Sequence, residues 1–253
     1  MKKYLIFFNI LIINFAFCQI NIDYTIESDM DRYLLKINVT NNSNEYYMIP
    51  LDMNGFKGYY ESEYCGTFDD QNYPYKFFAP TVMLKKDNTD NYLFPNSSHG
   101  HMPEGEGAEK YIKALEKIAK KELKEIDSWK KKHHFITEKE TVKNYYITKN
   151  LLFLKPNEKY VYTVYLDLGD IRRENKSILY DYYYFESGKY NLALHLCITD
   201  DAYNWLTLKQ KKKLKKYKFF IGTIKSNSTL IEPIKNRLCI RFSDDITLVL
   251  MPF

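Results

Sequence analysis

The sequence predicts a mainly β protein, a sandwich of short strands interrupted by one amphipathic α-helix. Apolar and polar residues alternate with period two over many short segments, the pattern of strands that bury one face. Clusters of Gly, Pro, Asn and Asp separate those segments at short intervals, as turns do. Only at 109–132 does the period change to that of a helix.

The chain opens on Met1, Lys2 and Lys3 and then runs apolar from 4 to 17, with Asn9 and Asn14 as interruptions. A basic start before an apolar core reads as an export signal, and this run falls short of the ~20 residues that cross a bilayer as a helix. Ala16 and Cys18 are the small residues three and one places before Gln19, which fits signal peptidase cleavage. Residues 1–18 are therefore expected to be a signal peptide, and 19–253 a single exported domain, periplasmic or secreted. The alternative is lipid attachment through Cys18, which anchors the same domain to a membrane; the bulky Phe17 before the cysteine weighs against it. Without Lys2 and Lys3 the net charge falls from +5 to +3, so the domain is only mildly basic. Export argues against nucleic acid as a partner.

Segments 20–27 and 32–40 alternate cleanly: Ile20, Ile22, Tyr24 and Ile26, then Tyr33, Leu35, Ile37 and Val39. Residues 29–31 and 41–44 supply turns, and 45–50 a third short strand. Beyond the helix, 151–154 and 160–168 flank the Pro156-Asn157-Glu158 turn, and 178–185 and 190–198 flank Glu186-Ser187-Gly188. Strands at 217–224, 229–231, 238–242 and 246–251 complete the set. Many short strands with regular turns point to a sandwich or barrel.

Within 109–132, Ile112, Leu115, Ile118, Ala119, Leu123, Ile126 and Trp129 form an apolar stripe about 140° wide at ~100° per residue. Glu109 with Lys113 and Glu116 with Lys120 are i,i+4 pairs on the outer face, each worth a few tenths of a kcal/mol. A lone helix cannot bury such a stripe. The helix, inside an insertion at about 95–135, is expected to pack on a sheet.

The stretch LLFLKPNEKYVYTVYL at 151–166, followed by FESGKYNLALHL at 185–196, resembles the strand pairs of bacterial immunoglobulin-like modules, with Pro156 and Glu158 in one turn and Gly188 and Tyr190 at the next. FFIGTIKSNSTLI at 219–231 is similar to the closing strands of uncharacterised exported proteins of Gram-negative bacteria. The resemblance spans about a third of the chain, holds no catalytic residue, and implies an immunoglobulin-like β-sandwich only; fold does not dictate function.

Three cysteines follow the signal, and an oxidising compartment allows one disulfide. Cys197 and Cys239 share the less apolar parity of two predicted strands and are the preferred pair, leaving Cys65 as the odd thiol; three free thiols are the alternative. HGHMPEGEG at 99–107 offers His99, His101 and Glu104 as nitrogen and oxygen ligands for a divalent metal such as zinc. A polar linker into the helix, with its acidic residues at the positive helix end, explains the same residues without a cofactor. KQKKKLKKYK at 209–218 is the sharpest charge feature. Its Lys211, Lys212, Lys213, Lys215 and Lys216 are read as a solvated hairpin loop, or alternatively as a contact for a membrane surface or another anionic surface.

Aromatic rings crowd 56–78, too many for one core, so Phe56, Tyr59, Tyr60, Tyr64 and Phe68 are expected to present a ligand or partner surface. His195 falls on the opposite parity from Leu192, Leu194 and Leu196 and reads as structural. No nucleophile elbow, zincin helix, phosphate loop or calcium loop is present. The expectation is a non-catalytic exported protein that binds an envelope protein or glycan. The alternative is a metal-dependent periplasmic hydrolase built on His99, His101 and Glu104.

Overall fold

A computed structural model describes residues 19–71, 74–99, 106–172 and 179–233. Residues 1–18, His101, Glu104, Cys239 and the expected strands 238–242 and 246–251 lie outside them.

The chain is mainly β. It runs β1 (Ile20–Asp29), β2 (Arg32–Asn41), β3 (Tyr47–Pro50), β4 (Thr81–Lys86), β5 (Asn96–His99), α1 (Glu106–His133), α2 (Glu138–Lys149), β6 (Leu151–Leu154) and β7 (Lys159–Leu166). There follow β8 (Ile171–Arg172), β9 (Leu179–Tyr182), β10 (Tyr190–Ile198), α3 (Asp201–Asn204), α4 (Leu208–Lys213), β11 (Lys218–Phe219) and β12 (Gly222–Ile231). Among the described residues the strands form four small sheets, ordered β1-β2-β7, β12-β10-β4, β11-β3-β6 and β5-β9-β8.

The period-two pattern sets the first sheet. Ile22 lies opposite Val39, Tyr24 opposite Ile37, and Ile37 opposite Tyr162, so the apolar parity of each strand meets that of its neighbour on one face. In the second sheet Leu192, Leu194 and Leu196 point into the same core cluster as Ile22 and Leu35. β12 takes up an extra residue opposite β10, where the register shifts between Ala193 and His195. At this bulge Ser226 Oγ accepts the Leu194 N–H (2.8 Å). Beside it the Asn227 amide stands in for a strand partner of β1: its Oδ1 accepts the Tyr24 N–H (2.9 Å) and its Nδ2 donates to the Tyr24 carbonyl (3.2 Å). The two sheets are thus joined along β1 and β12 around one core.

Several expectations need correction. The helix is present and slightly longer than expected, but it packs on α2, not on a sheet. Only its C-terminal part is covered: Ile126 is 5% exposed against Val142, Tyr145 and Tyr146, whereas Ile112, Ile118 and Leu123 are 40%, 43% and 47% exposed. The lysine run is not a hairpin loop. Thr207 opens α4 with a capping box to Gln210, which turns Leu208–Lys213 into a short helix. The expected strand 217–224 is split, because Gly222 adopts φ 129°, so Lys218–Phe219 pairs with β3 and the rest with β10.

Candidate functional site: a tyrosine-lined cleft on the second face of β10

The face of β10 turned away from the core carries His195 and Cys197. A row of side chains crosses it. Lys57 bridges Thr81 in parallel, Thr81 opposes His195 across β4 and β10, and His195 opposes Lys225 of β12. Directly opposed residues project to one side of a sheet, so Lys57, Thr81 and His195 stand side by side. The bridge is fixed by the Lys57 N–H donating to the Pro80 carbonyl (3.1 Å) and the Val82 N–H donating to the Lys57 carbonyl (2.9 Å).

The aromatic segment lies over this row and is pinned to it three times. The Tyr183 hydroxyl, fully buried, accepts the Tyr59 N–H (3.0 Å) and donates to the Val82 carbonyl (2.9 Å). The Tyr64 hydroxyl and His195 Nδ1 share a hydrogen bond of 3.1 Å. Next to Tyr64, Cys65 forms a disulfide with Cys197. This corrects the expected Cys197–Cys239 pairing: the parity of Cys197 was right, but the segment that covers that face brings Cys65. Cys65 holds φ 61°, a left-handed conformation that a side chain other than Gly rarely adopts, at the place where the chain turns back from the disulfide.

Between segment and sheet lies a cleft of about 190 Å³, lined among others by Lys57, Tyr60, Tyr64, Tyr75, Thr81 and Asp181. Its floor needs a glycine. A Cβ on Gly58 would lie 2.7 Å from Pro95 Cγ and 3.3 Å from Asp181 Oδ2, so no larger residue fits without a shift. Asp181 is buried and accepts from the Tyr60 hydroxyl (2.9 Å) and the Ser97 hydroxyl (3.0 Å) at the same oxygen.

The electrostatics of the cleft are unusual for a surface. The Lys57 ammonium donates to the Phe77 carbonyl (2.9 Å) and sits 5.2 Å from the Phe77 ring centroid, with no carboxylate bonded to it among the described residues. Desolvation by burial pulls its pKa down to about 8, against a weaker upward pull from Glu63. The Thr81 hydroxyl is 2% exposed and has no hydrogen-bond partner among the described residues. Lys76, at the rim, donates to the Asn54 carbonyl (2.8 Å), and burial lowers its pKa while Asp52, 4.0 Å away, raises it. Burial holds the His195 imidazole at about 4, helped by the positive Lys225, so the ring is neutral at physiological pH.

The structure divides the five expected aromatic residues. Tyr60 and Tyr64 line the cleft. Tyr59 lies outside it, its ring stacked on Phe94 at 5.6 Å and tilted against Tyr92 at 5.3 Å. Phe56 and Phe68 belong to the core; Phe68 is fully buried against Phe77 and Phe78, so both are corrected from surface to core residues. Lys57, Thr81 and Asp181 were not anticipated. Lys57 and Thr81 are joined by a β-bridge and Asp181 by the Tyr60 hydrogen bond, which no local motif announces; the one local hint is a lysine set between two glycines and three aromatic rings at 55–60.

The other expected sites stay apart from the cleft. His99 ends β5, and its expected metal partners His101 and Glu104 lie outside the described residues. Among the described residues no three His, Cys, Asp or Glu gather to hold a metal. Of the lysines, Lys211 lies over the Tyr203 ring at 4.6 Å and Lys216 over the Tyr46 ring at 3.7 Å, while Lys212, Lys213 and Lys215 are exposed. No described helix is long and apolar enough to cross a membrane.

Comparison with protein-family models, with curated proteins and with solved structures found no match.

Proposed function

We propose that the chain is an exported, non-catalytic binding protein of the bacterial envelope, and that its ligand or partner engages the tyrosine cleft. The observation that carries this is the cleft itself: tyrosines, a desolvated ammonium and a hydroxyl unpartnered among the described residues, gathered on one sheet face. Concave sites with a few convergent polar groups on a rigid scaffold are where ligands bind. The Cys65–Cys197 disulfide supports export, since such bonds persist in oxidising compartments. The scaffold is read as an immunoglobulin-like sandwich, supported by β1-β2-β7 and β4-β10-β12 sharing one core.

The test is retention of envelope material on immobilised protein. Tyr60→Ala combined with Tyr64→Ala, with folding checked by circular dichroism, is expected to lose whatever the wild-type protein retains. Undiminished retention by the folded double variant would place the binding surface elsewhere.

A further inference from the structure

We propose that the cleft takes one uronic acid residue of an acidic glycan, its carboxylate seated between the Lys57 ammonium and the Thr81 hydroxyl. This deepens the binding reading above and rests on it. Three features of the cleft lead to a ligand of this chemistry.

The first is an unmet demand for an acceptor. A lysine ammonium has three N–H donors, and among the described residues Lys57 uses one, on the Phe77 carbonyl. Thr81, its neighbour across the bridge, has a buried hydroxyl without a hydrogen-bond partner among the described residues. Leaving a buried hydroxyl unsatisfied costs free energy, and so does desolvating an ammonium that is hydrogen-bonded to one carbonyl and reached by Glu63 only through space. A carboxylate between them accepts from both and satisfies both.

The second is the presence of carboxylates in the lining of the same cleft, one of which, Glu63, acts on Lys57 through space. Asp181 and Glu63 line it with Gln71, while Lys76 and the tyrosines 60, 64 and 75 complete the wall. A purely anionic ligand would meet repulsion from the two carboxylates. A sugar acid offsets this, because its ring hydroxyls donate to the carboxylates while its own carboxylate takes the ammonium. The tyrosines supply ring faces for the apolar C–H side of a pyranose.

The third is size. A cleft of about 190 Å³ is smaller than the roughly 300 Å³ at which drug-sized pockets begin, which matches one sugar ring with the rest of a glycan left outside. A free small carboxylic acid or the carboxyl end of a peptide shares the carboxylate but uses neither the acidic wall nor the tyrosine faces.

Titration calorimetry of the whole exported domain with glucuronate, glucose, acetate and acetyl-glycyl-glycine tests this. Glucuronate is expected to bind at least tenfold more tightly than the other three. Lys57→Gln is expected to weaken glucuronate at least tenfold. Thr81→Val is expected to weaken it severalfold while raising Tm, because the unpartnered hydroxyl is gone; a merely structural Thr81 would change Tm alone. Raising the pH from 7 to 9 is expected to weaken binding about tenfold as the ammonium loses its proton, which keeps the test decisive if Lys57→Gln does not fold. Equal binding of glucose and glucuronate, preference for the peptide carboxylate, or unchanged affinity in folded Lys57→Gln would overturn the proposal. If no probe binds while Tyr60→Ala with Tyr64→Ala still abolishes retention, the uronic acid assignment fails and the cleft stands as the binding site. If both fail, the cleft itself is wrong.

Discussion

His195 shows how much one side chain of this face contributes. Buried and beside Lys225, it is held at about 4, while in the unfolded chain it returns to 6.5. Between those values the unfolded chain binds the proton and the folded one does not, so stability is full above pH 6.5 and falls as pH drops towards 4. Tm followed from pH 7 to pH 4 is expected to decline through this window, and His195→Gln to flatten that part of the profile; an identical profile would remove the imidazole from the account. Lys143 of α2 is the opposite case, a fully buried lysine whose ammonium is satisfied by carbonyls. It donates to the Phe68 carbonyl and, at 2.7 Å, to that of Asp69, and lies over the Trp205 ring at 4.7 Å. Lys143→Met keeps the bulk but strands two carbonyls, and urea denaturation is expected to register a loss of about 1–3 kcal/mol. Neither role was legible in the sequence beyond the parity of His195, because a buried lysine or histidine is defined by partners dozens of residues away.

At the scale of elements, strands were easier to read than helices. β1, β2, β6 and β10 follow from alternation or a short apolar run between turns, and the structure matches them within a residue or two. α2 was missed for a physical reason. Its Thr141, Val142, Tyr145, Tyr146 and Ile147 are β-branched or aromatic, poor helix formers by propensity. Tertiary contacts override that preference: Lys143 grips the aromatic segment, and Asn144 accepts from the Trp129 indole (2.9 Å) and donates to the Trp205 carbonyl (2.7 Å). A signal was nevertheless present. Thr137 with Glu140 forms a capping box, as Thr207 with Gln210 does for α4, and each pattern stands in the sequence. Thr137→Ala is expected to cost about 1 kcal/mol in chemical denaturation. In α1 the difference between covered and uncovered stripe predicts unequal substitutions. Ile126→Ala is expected to cost about 2–4 kcal/mol, whereas Ile118→Ala, on a residue 43% exposed, should stay within about 0.5–1 kcal/mol. Equal losses would mean that the N-terminal stripe is covered in solution.

For the whole molecule, the disulfide and the strand pairing assemble the site together. Cys65 and Cys197 are 132 residues apart, and cross-linking so long a loop restricts the unfolded chain strongly, typically by about 2–4 kcal/mol. Cys65→Ser with Cys197→Ser is expected to lower stability by that amount and to loosen the turn that carries Tyr60 and Tyr64. The aromatic richness of 56–78 was visible from the sequence and did locate the cleft. Which rings belong to it was not read, although the core took the hydroxyl-free Phe56 and Phe68 and the cleft the hydroxyl-bearing Tyr60 and Tyr64. The central claim is that this cleft, with Lys57 at its base, is where the protein binds. Backbone amide shifts mapped during a glucuronate titration test it most directly: the account predicts that the largest changes cluster at Lys57, Gly58, Tyr60, Tyr64, Thr81 and Asp181. Changes concentrated on the lysines of α4, or spread without focus over the surface, would contradict it.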